Sequence, residues 1–188
     1  MRSTFILIFC FAVSSFNISA QEKKVTFRGG AGYYLDVYTF DSGQTLWLEG
    51  GYLFNTGFHM NTRVSYASTH WKMDRGFFKG DDNMDVRLKA DIVFSKPIKI
   101  GNRSVLEPGV GFLIRRFYGF YPLVEVIGNQ LWVDFGSQTF DDLGFTMTLD
   151  YNYRFDSGFF MGLRIDSYTI WQMGFEGLTI TPLFGFSF

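Results

Sequence analysis

The sequence has a single cysteine, Cys10, and it lies within an apolar run close to the N-terminus. Without that run, residues 21–188 contain no thiol, which excludes disulfide staples, thiol catalysis and cysteine-ligated metals. Beyond residue 20 there is no apolar run of the roughly 20 residues that a membrane helix needs. A basic patch is also missing. The 17 Lys and Arg nearly balance the 18 Asp and Glu, so nucleic acid is not expected as a partner. Two short patterns come close to ligand loops and fail. Gly29-Gly30-Ala31-Gly32 lacks the third spaced glycine and the following helix of a dinucleotide loop. Asp81-Asp82-Asn83-Met84-Asp85 opens like a calcium loop, but Val86 and Ile92 stand where such a loop needs Gly and a bidentate Glu. No cofactor or metal is expected from either.

What the chain has in abundance is aromatic residues, 24 of them phenylalanine. They are spread by alternation. In the last eleven residues, Leu178, Ile180, Pro182, Phe184, Phe186 and Phe188 alternate with small or polar neighbours, a period of two that marks a strand with one oily face. That face runs to the last residue, where a strand in water would fray. At the other end, Arg2, the run Phe5-Ile6-Leu7-Ile8-Phe9-Cys10-Phe11-Ala12-Val13 and the closing Ile18-Ser19-Ala20 make a secretory signal peptide over residues 1–20. Residues 21–188 are then the exported domain.

Eight strands are expected in it. They cover about residues 29–39, 45–54, 58–68, 84–94, 104–115, 143–155 and 159–170, with the terminal stretch as the eighth. The third sets Phe58, Met60, Thr62, Val64 and Tyr66 against His59, Asn61, Arg63 and Ser65. A polar loop is expected over about 69–83, a long excursion over about 116–142, and a bulge or bend at Pro108, where a paired strand would lack a donor. Phe54-Asn55-Thr56-Gly57-Phe58 and Phe155-Asp156-Ser157-Gly158-Phe159 repeat one turn pattern, which places both turns at the same end. Phe54, Phe58, Phe94, Phe155, Phe159 and Phe188 then form half of an aromatic girdle.

The second face of these strands carries Asp36, Glu49, Asp85, Asp91, Glu107, Asp150 and Asp166 against Arg63, Arg87, Lys89, Arg115, Arg154 and Arg164. A charge facing lipid costs roughly 2–4 kcal/mol at the midplane, so these side chains must point inward. An eight-stranded interior is only wide enough for side chains to fill. Near-balanced charges there should pair into a polar plug.

Signal peptide, alternating strands, charged interior and terminal Phe188 together resemble the small OmpA/OmpX-type outer-membrane β-barrels. The fold expected is an all-β, antiparallel up-and-down transmembrane barrel of eight strands. The resemblance implies residence in the outer membrane among lipid and lipopolysaccharide, and delivery to the barrel-assembly machinery through the strand ending in Phe188. It also implies short turns on the periplasmic side and longer excursions outside. Some barrels of this size are lipid A deacylases or palmitoyltransferases, but the chain has no His-x-Ser pairing, and His59 and His70 read as structural, so no enzyme is expected. The function expected is surface interaction or envelope structure, with a narrow channel or an atypical lipid-modifying enzyme as alternatives. The partner-binding element expected is a hairpin within residues 119–135, placed as an extension of the fifth and sixth strands. Phe120, Tyr121, Trp132 and Phe135 are its anchors toward an extracellular protein or glycan.

Overall fold

The computed structural model describes residues 24–37, 40–75, 78–127 and 130–188, and the side chains of residues 71–83 and 120–135 lie outside that description. The leader expected over residues 1–20 falls outside the described residues. Eight long strands follow in order: β1 Val25–Asp36, β2 Ser42–Leu53, β3 His59–Arg75, β4 Phe78–Ser95, β5 Ser104–Ile127, β6 Gln130–Arg154, β7 Phe159–Ile170 and β8 Gly174–Ser187. Each pairs antiparallel with the next, and a two-residue strand, Ile98–Lys99, tucks against Leu106 and Val105 in the turn between β4 and β5. β1 pairs with β8, and the sheet closes as a barrel. Closure removes both sheet edges, so the strands can satisfy their backbone groups without water.

Alternation decides what goes where. On β2, Leu46 and Leu48 are more than half exposed while Trp47 and Glu49 are buried. On β3, Arg63 is 1% exposed and its neighbour Val64 47%. The barrel is inverted relative to a soluble domain: its charges are inside and its apolar side chains outside. On β5 and β6 the outward pairs Leu106–Tyr151, Pro108–Leu149, Val110–Met147, Phe112–Phe145 and Ile114–Leu143 form an apolar ladder. It spans nine residues on β5, within the roughly 9–11 a tilted membrane strand needs. The next outward pair is Arg116–Asp141, a bidentate contact with two 2.6 Å hydrogen bonds donated by the arginine. A lipid-facing ion pair would be costly, so the apolar belt ends below it.

The two echoed turns have the same geometry. Phe54 N donates to Phe58 O and Gly57 N to Phe54 O, and Phe155, Phe159 and Gly158 repeat both bonds. Gly57 and Gly158 sit at φ of 81° and 88°, a left-handed backbone that favours glycine. Around this rim aromatic rings touch in sequence, from Tyr153 through Phe155, Phe159, Phe186 and Phe188 to Phe27.

Three expectations are corrected. Residues 69–83 are no loop: apart from the tip, β3 and β4 continue through them as paired strands. The first strand starts at Val25 rather than residue 29. Register through Pro108 runs unbroken on β6, from Glu107–Asp150 to Gly109–Thr148. The Pro108 carbonyl accepts from Lys96 N, so its donorless nitrogen faces the side where β4 has ended, and no ladder bond is lost.

Candidate functional site

Two features are candidates for function: the charged interior and the extension of β5 and β6. The interior is arranged in three tiers. At the short-turn end Arg28 of β1 is the hub. It donates to Asp150 at 2.8 Å and Glu107 at 2.9 Å, and its Nε stands 3.1 Å from Glu49. Arg164 joins Glu49 at 2.7 Å to Asp150 at 2.5 Å, with its guanidinium 4.1 Å above the Trp47 ring. Trp47 Nε1 in turn donates to Thr181. Half-buried Arg154 lines the same end.

In the middle tier Arg63 forks onto Asp91 at 2.6 Å and reaches Asp166 at 2.7 Å. Thr179 donates to Asp166 at 3.0 Å. Lys89 is different. Its Nζ has no hydrogen-bond partner and lies 3.2 Å from the Tyr168 ring centre and 5.2 Å from that of Tyr34.

In the third tier Arg87 meets Asp36, Glu176 and Thr69, and Asp85 is 3.9 Å away. Arg115 meets Glu176 and Asp142. A stacked pair, Phe117 and Phe140 with centroids 4.7 Å apart, lies against these cations. Arg115 is 5.6 Å from each ring and Arg87 5.1 Å from Phe117. All thirteen interior charges read from the sequence face the lumen, twelve of them buried and Arg154 half-buried. Two were missed. Arg28 continues the inward parity of β1 one turn of alternation before the assumed start. Glu176 sits on the outward parity of β8 and is turned inward by a β-bulge: Tyr168 pairs with Gly177 and Thr169 with Phe175, leaving Glu176 as the extra residue.

A nucleophilic site would need a serine bonded to a histidine that a carboxylate orients. Here His59 Nδ1 lies 2.8 Å from Glu107 and Ser95 Oγ donates to the same carboxylate at 2.5 Å, so histidine and serine compete for one acid. His70 lies within β3, opposite Met84, and is exposed on the outer face.

The second feature begins where β4 ends its pairing with β5, at Asp85–Gly119. On the other flank β7 ends its pairing with β6 at Gly144–Ile170. From Phe120–Ser137 to Ile127–Gln130 the hairpin has no further strand beside it among the described residues. Those eight residues rise roughly 25 Å at about 3.3 Å per residue. The expected placement as a strand extension is borne out. Side chains of Phe120, Tyr121, Trp132 and Phe135 lie outside the described residues. At the hairpin's base, hydrogen bonds from Arg116 hold the Asp141 carboxyl below its usual range. That contact is therefore complete at neutral pH and is lost as acid protonates Asp141.

No protein-family model matches the chain, and no curated protein matches it. Solved structures do. The outer membrane protein OprG from Pseudomonas aeruginosa aligns over 88% of this chain and 95% of its own, with a TM-score of 0.58 and 11% identity. Neisserial surface protein A aligns over 89% and 98%, with a TM-score of 0.56 and 11% identity. Ail, the attachment invasion locus protein of Yersinia pestis, solved in complex with the heparin analogue sucrose octasulfate, aligns over 88% and 98%, with a TM-score of 0.53 and 11% identity. The chain has the fold of the small eight-stranded outer-membrane β-barrels.

Proposed function

We propose that the chain is an exported, integral outer-membrane barrel without enzymatic activity, and that it acts in surface interaction through the free-standing β5–β6 hairpin. The observation that carries this is the hairpin's eight-residue rise beyond every neighbouring strand. An interior of mutually paired charges supports a structural role for the lumen, because the guanidinium forks of Arg28, Arg63, Arg87, Arg115 and Arg164 are already occupied by protein carboxylates. The short turns then face the periplasm and the hairpin faces outward. Residues 117–140 include Glu125 and Asp134 but no Lys or Arg. Unlike the polyanion seen with Ail, the partner fitting such a surface is a protein or an uncharged glycan that stacks on aromatic rings such as Trp132, Phe135, Phe120 and Tyr121.

The test replaces residues 121–136 with a short Gly-Ser turn, leaving the Gly119–Gln138 pair and everything below it. The barrel should still run as a folded, heat-modifiable species, and binding to glycan arrays or cross-linked protein partners should disappear. Binding that survives the replacement would end the proposal. Loss of folding would make the hairpin part of the barrel's own stability.

A further inference from the structure

The ladder that closes the barrel, β1 against β8, is interrupted within the apolar belt. It runs from Thr26–Ser187 to Gly29–Phe184 and again from Tyr33–Ile180 to Asp36–Gly177, in one register. Between those runs Gly30, Ala31 and Gly32 stand opposite Leu183, Pro182 and Thr181 without pairing. Among the described residues the seven other ladders cross the belt without a gap. Backbone parity explains the break. Val25 and Phe188 exchange both backbone hydrogen bonds, so every second residue from them turns its polar groups across the seam. Ala31 and Pro182 fall on that parity, and Pro182 has no N–H to give the Ala31 carbonyl. Pro108 escapes this loss because its nitrogen faces past the end of β4. Pro182 does not.

A side chain bridges the gap from inside. Trp47 of β2 is buried and lies directly opposite Gly30 of β1. Its ring crosses β1 over that glycine, where a Cβ would come within 2.9 Å of it, so a larger residue at position 30 would block the crossing. Beyond β1 its Nε1 donates at 3.0 Å to Thr181 Oγ1 of β8, one of the residues the ladder leaves unpaired. The Arg164 guanidinium lies 4.1 Å above the same ring and binds Glu49 and Asp150. The crossing is thereby tied to the ion pairs of the lumen.

We infer that Trp47 is a strap across the seam. It takes the place of the backbone bonding that Pro182 interrupts, and the wall parts first at Ala31–Pro182 when the strap lets go. The barrel then has one built-in place of lateral opening, held shut by an indole that a lumen arginine covers. This goes beyond the surface role of the hairpin and stands or falls without it.

Amide hydrogen exchange of the full barrel in lipid vesicles, read by mass spectrometry, tests the strap. In the native chain residues 29–33 and 180–184 should exchange faster than the β5–β6 ladder within the belt. Trp47→Phe keeps a ring over Gly30 but removes the donor, and Thr181→Val removes the acceptor at nearly constant volume. Each should speed exchange of those two segments roughly tenfold, the equivalent of one lost hydrogen bond, and leave β4–β6 unchanged. Pro182 is exposed on the outer face, and Pro182→Val restores the missing N–H. That substitution should slow exchange at the seam and cancel most of the effect of Trp47→Phe. Thr181→Val reads the same bond should Trp47→Phe assemble poorly. Faster exchange spread evenly around the barrel, or a Trp47→Phe effect undiminished beside Pro182→Val, would overturn the strap. Native seam exchange no faster than that of the β5–β6 ladder would overturn the opening itself.

Discussion

Arg28 has three carboxylates within 3.1 Å and is almost wholly buried. Replacing it with methionine would strand Glu49, Glu107 and Asp150 in a lumen with one fewer cation, a loss of about 3–5 kcal/mol by the usual cost of breaking a buried pair. Arg28→Lys should recover little of this, because a point charge cannot divide among three acceptors as a fork does. Lys89→Met should cost much less. Its ammonium already lacks an acceptor and rests on the Tyr168 ring, so the substitution removes no hydrogen bond. Urea unfolding in lipid vesicles compares the three variants; equal losses at Arg28 and Lys89 would mean that net charge, and not hydrogen-bond geometry, governs the lumen. At this scale the sequence was informative, since parity alone placed thirteen interior charges correctly. Arg28 was missed only because the strand was started too late. Tyr34, Trp47, Phe160 and Tyr168 also fill the interior, and nothing in an aromatic residue's chemistry says whether it faces lipid or lumen.

The strand ends were harder to read, for a physical reason. Above the apolar belt both faces of β3–β6 leave the lipid, so the contrast that writes a period of two into the sequence disappears, and polar strands look like loops. The β8 bulge defeats parity in another way. It sets Glu176 and Gly177 on the same side, both buried, which is possible because Gly177 has no side chain beneath Tyr34. A Cβ at residue 177 would lie 2.6 Å from the Tyr34 hydroxyl. Gly177→Val should therefore destabilise the barrel by about 1–3 kcal/mol through overpacking. Much of that loss should vanish in a Tyr34→Ala background, where the ring is gone. Additive losses in the double-mutant cycle would rule out the Tyr34 contact as the reason for glycine. The sequence did hold one clue to the bulge: a glutamate on the lipid-facing parity of a membrane strand.

For the molecule as a whole, fifteen interior charges in three tiers are held in a lumen of eight strands, and Phe117 and Phe140 lie against the topmost cations. Planar-bilayer recording should accordingly give no steady current. A stable open level in the native chain would put solute passage ahead of surface interaction as its role. The fold class was legible from the two chain ends and the alternation between them, but the partner was not. In the proposed surface role the partner would be chosen by the hairpin's side chains, whose sequence says nothing of what comes to meet them.

The seam between the first and last strands has a consequence for chain order. Val25 N donates to Phe188 O, and Phe188 N donates to Val25 O at 2.8 Å, so the two ends meet at the rim that also carries Phe54, Phe94 and Phe155, each exposed. Every second strand finishes at that rim in an outward phenylalanine, which makes the barrel four hairpins of which any could come last. A circular permutant joining residue 188 to residue 24 through a short linker, and opened after Phe155, would still end on an alternating apolar strand with a terminal Phe. It should assemble in cells as the native order does. Opening instead at the opposite rim, between Ile170 and Gly174, ends the chain on a strand running the other way and should abolish assembly. If both permutants assemble equally, the final aromatic strand is not what the membrane machinery reads.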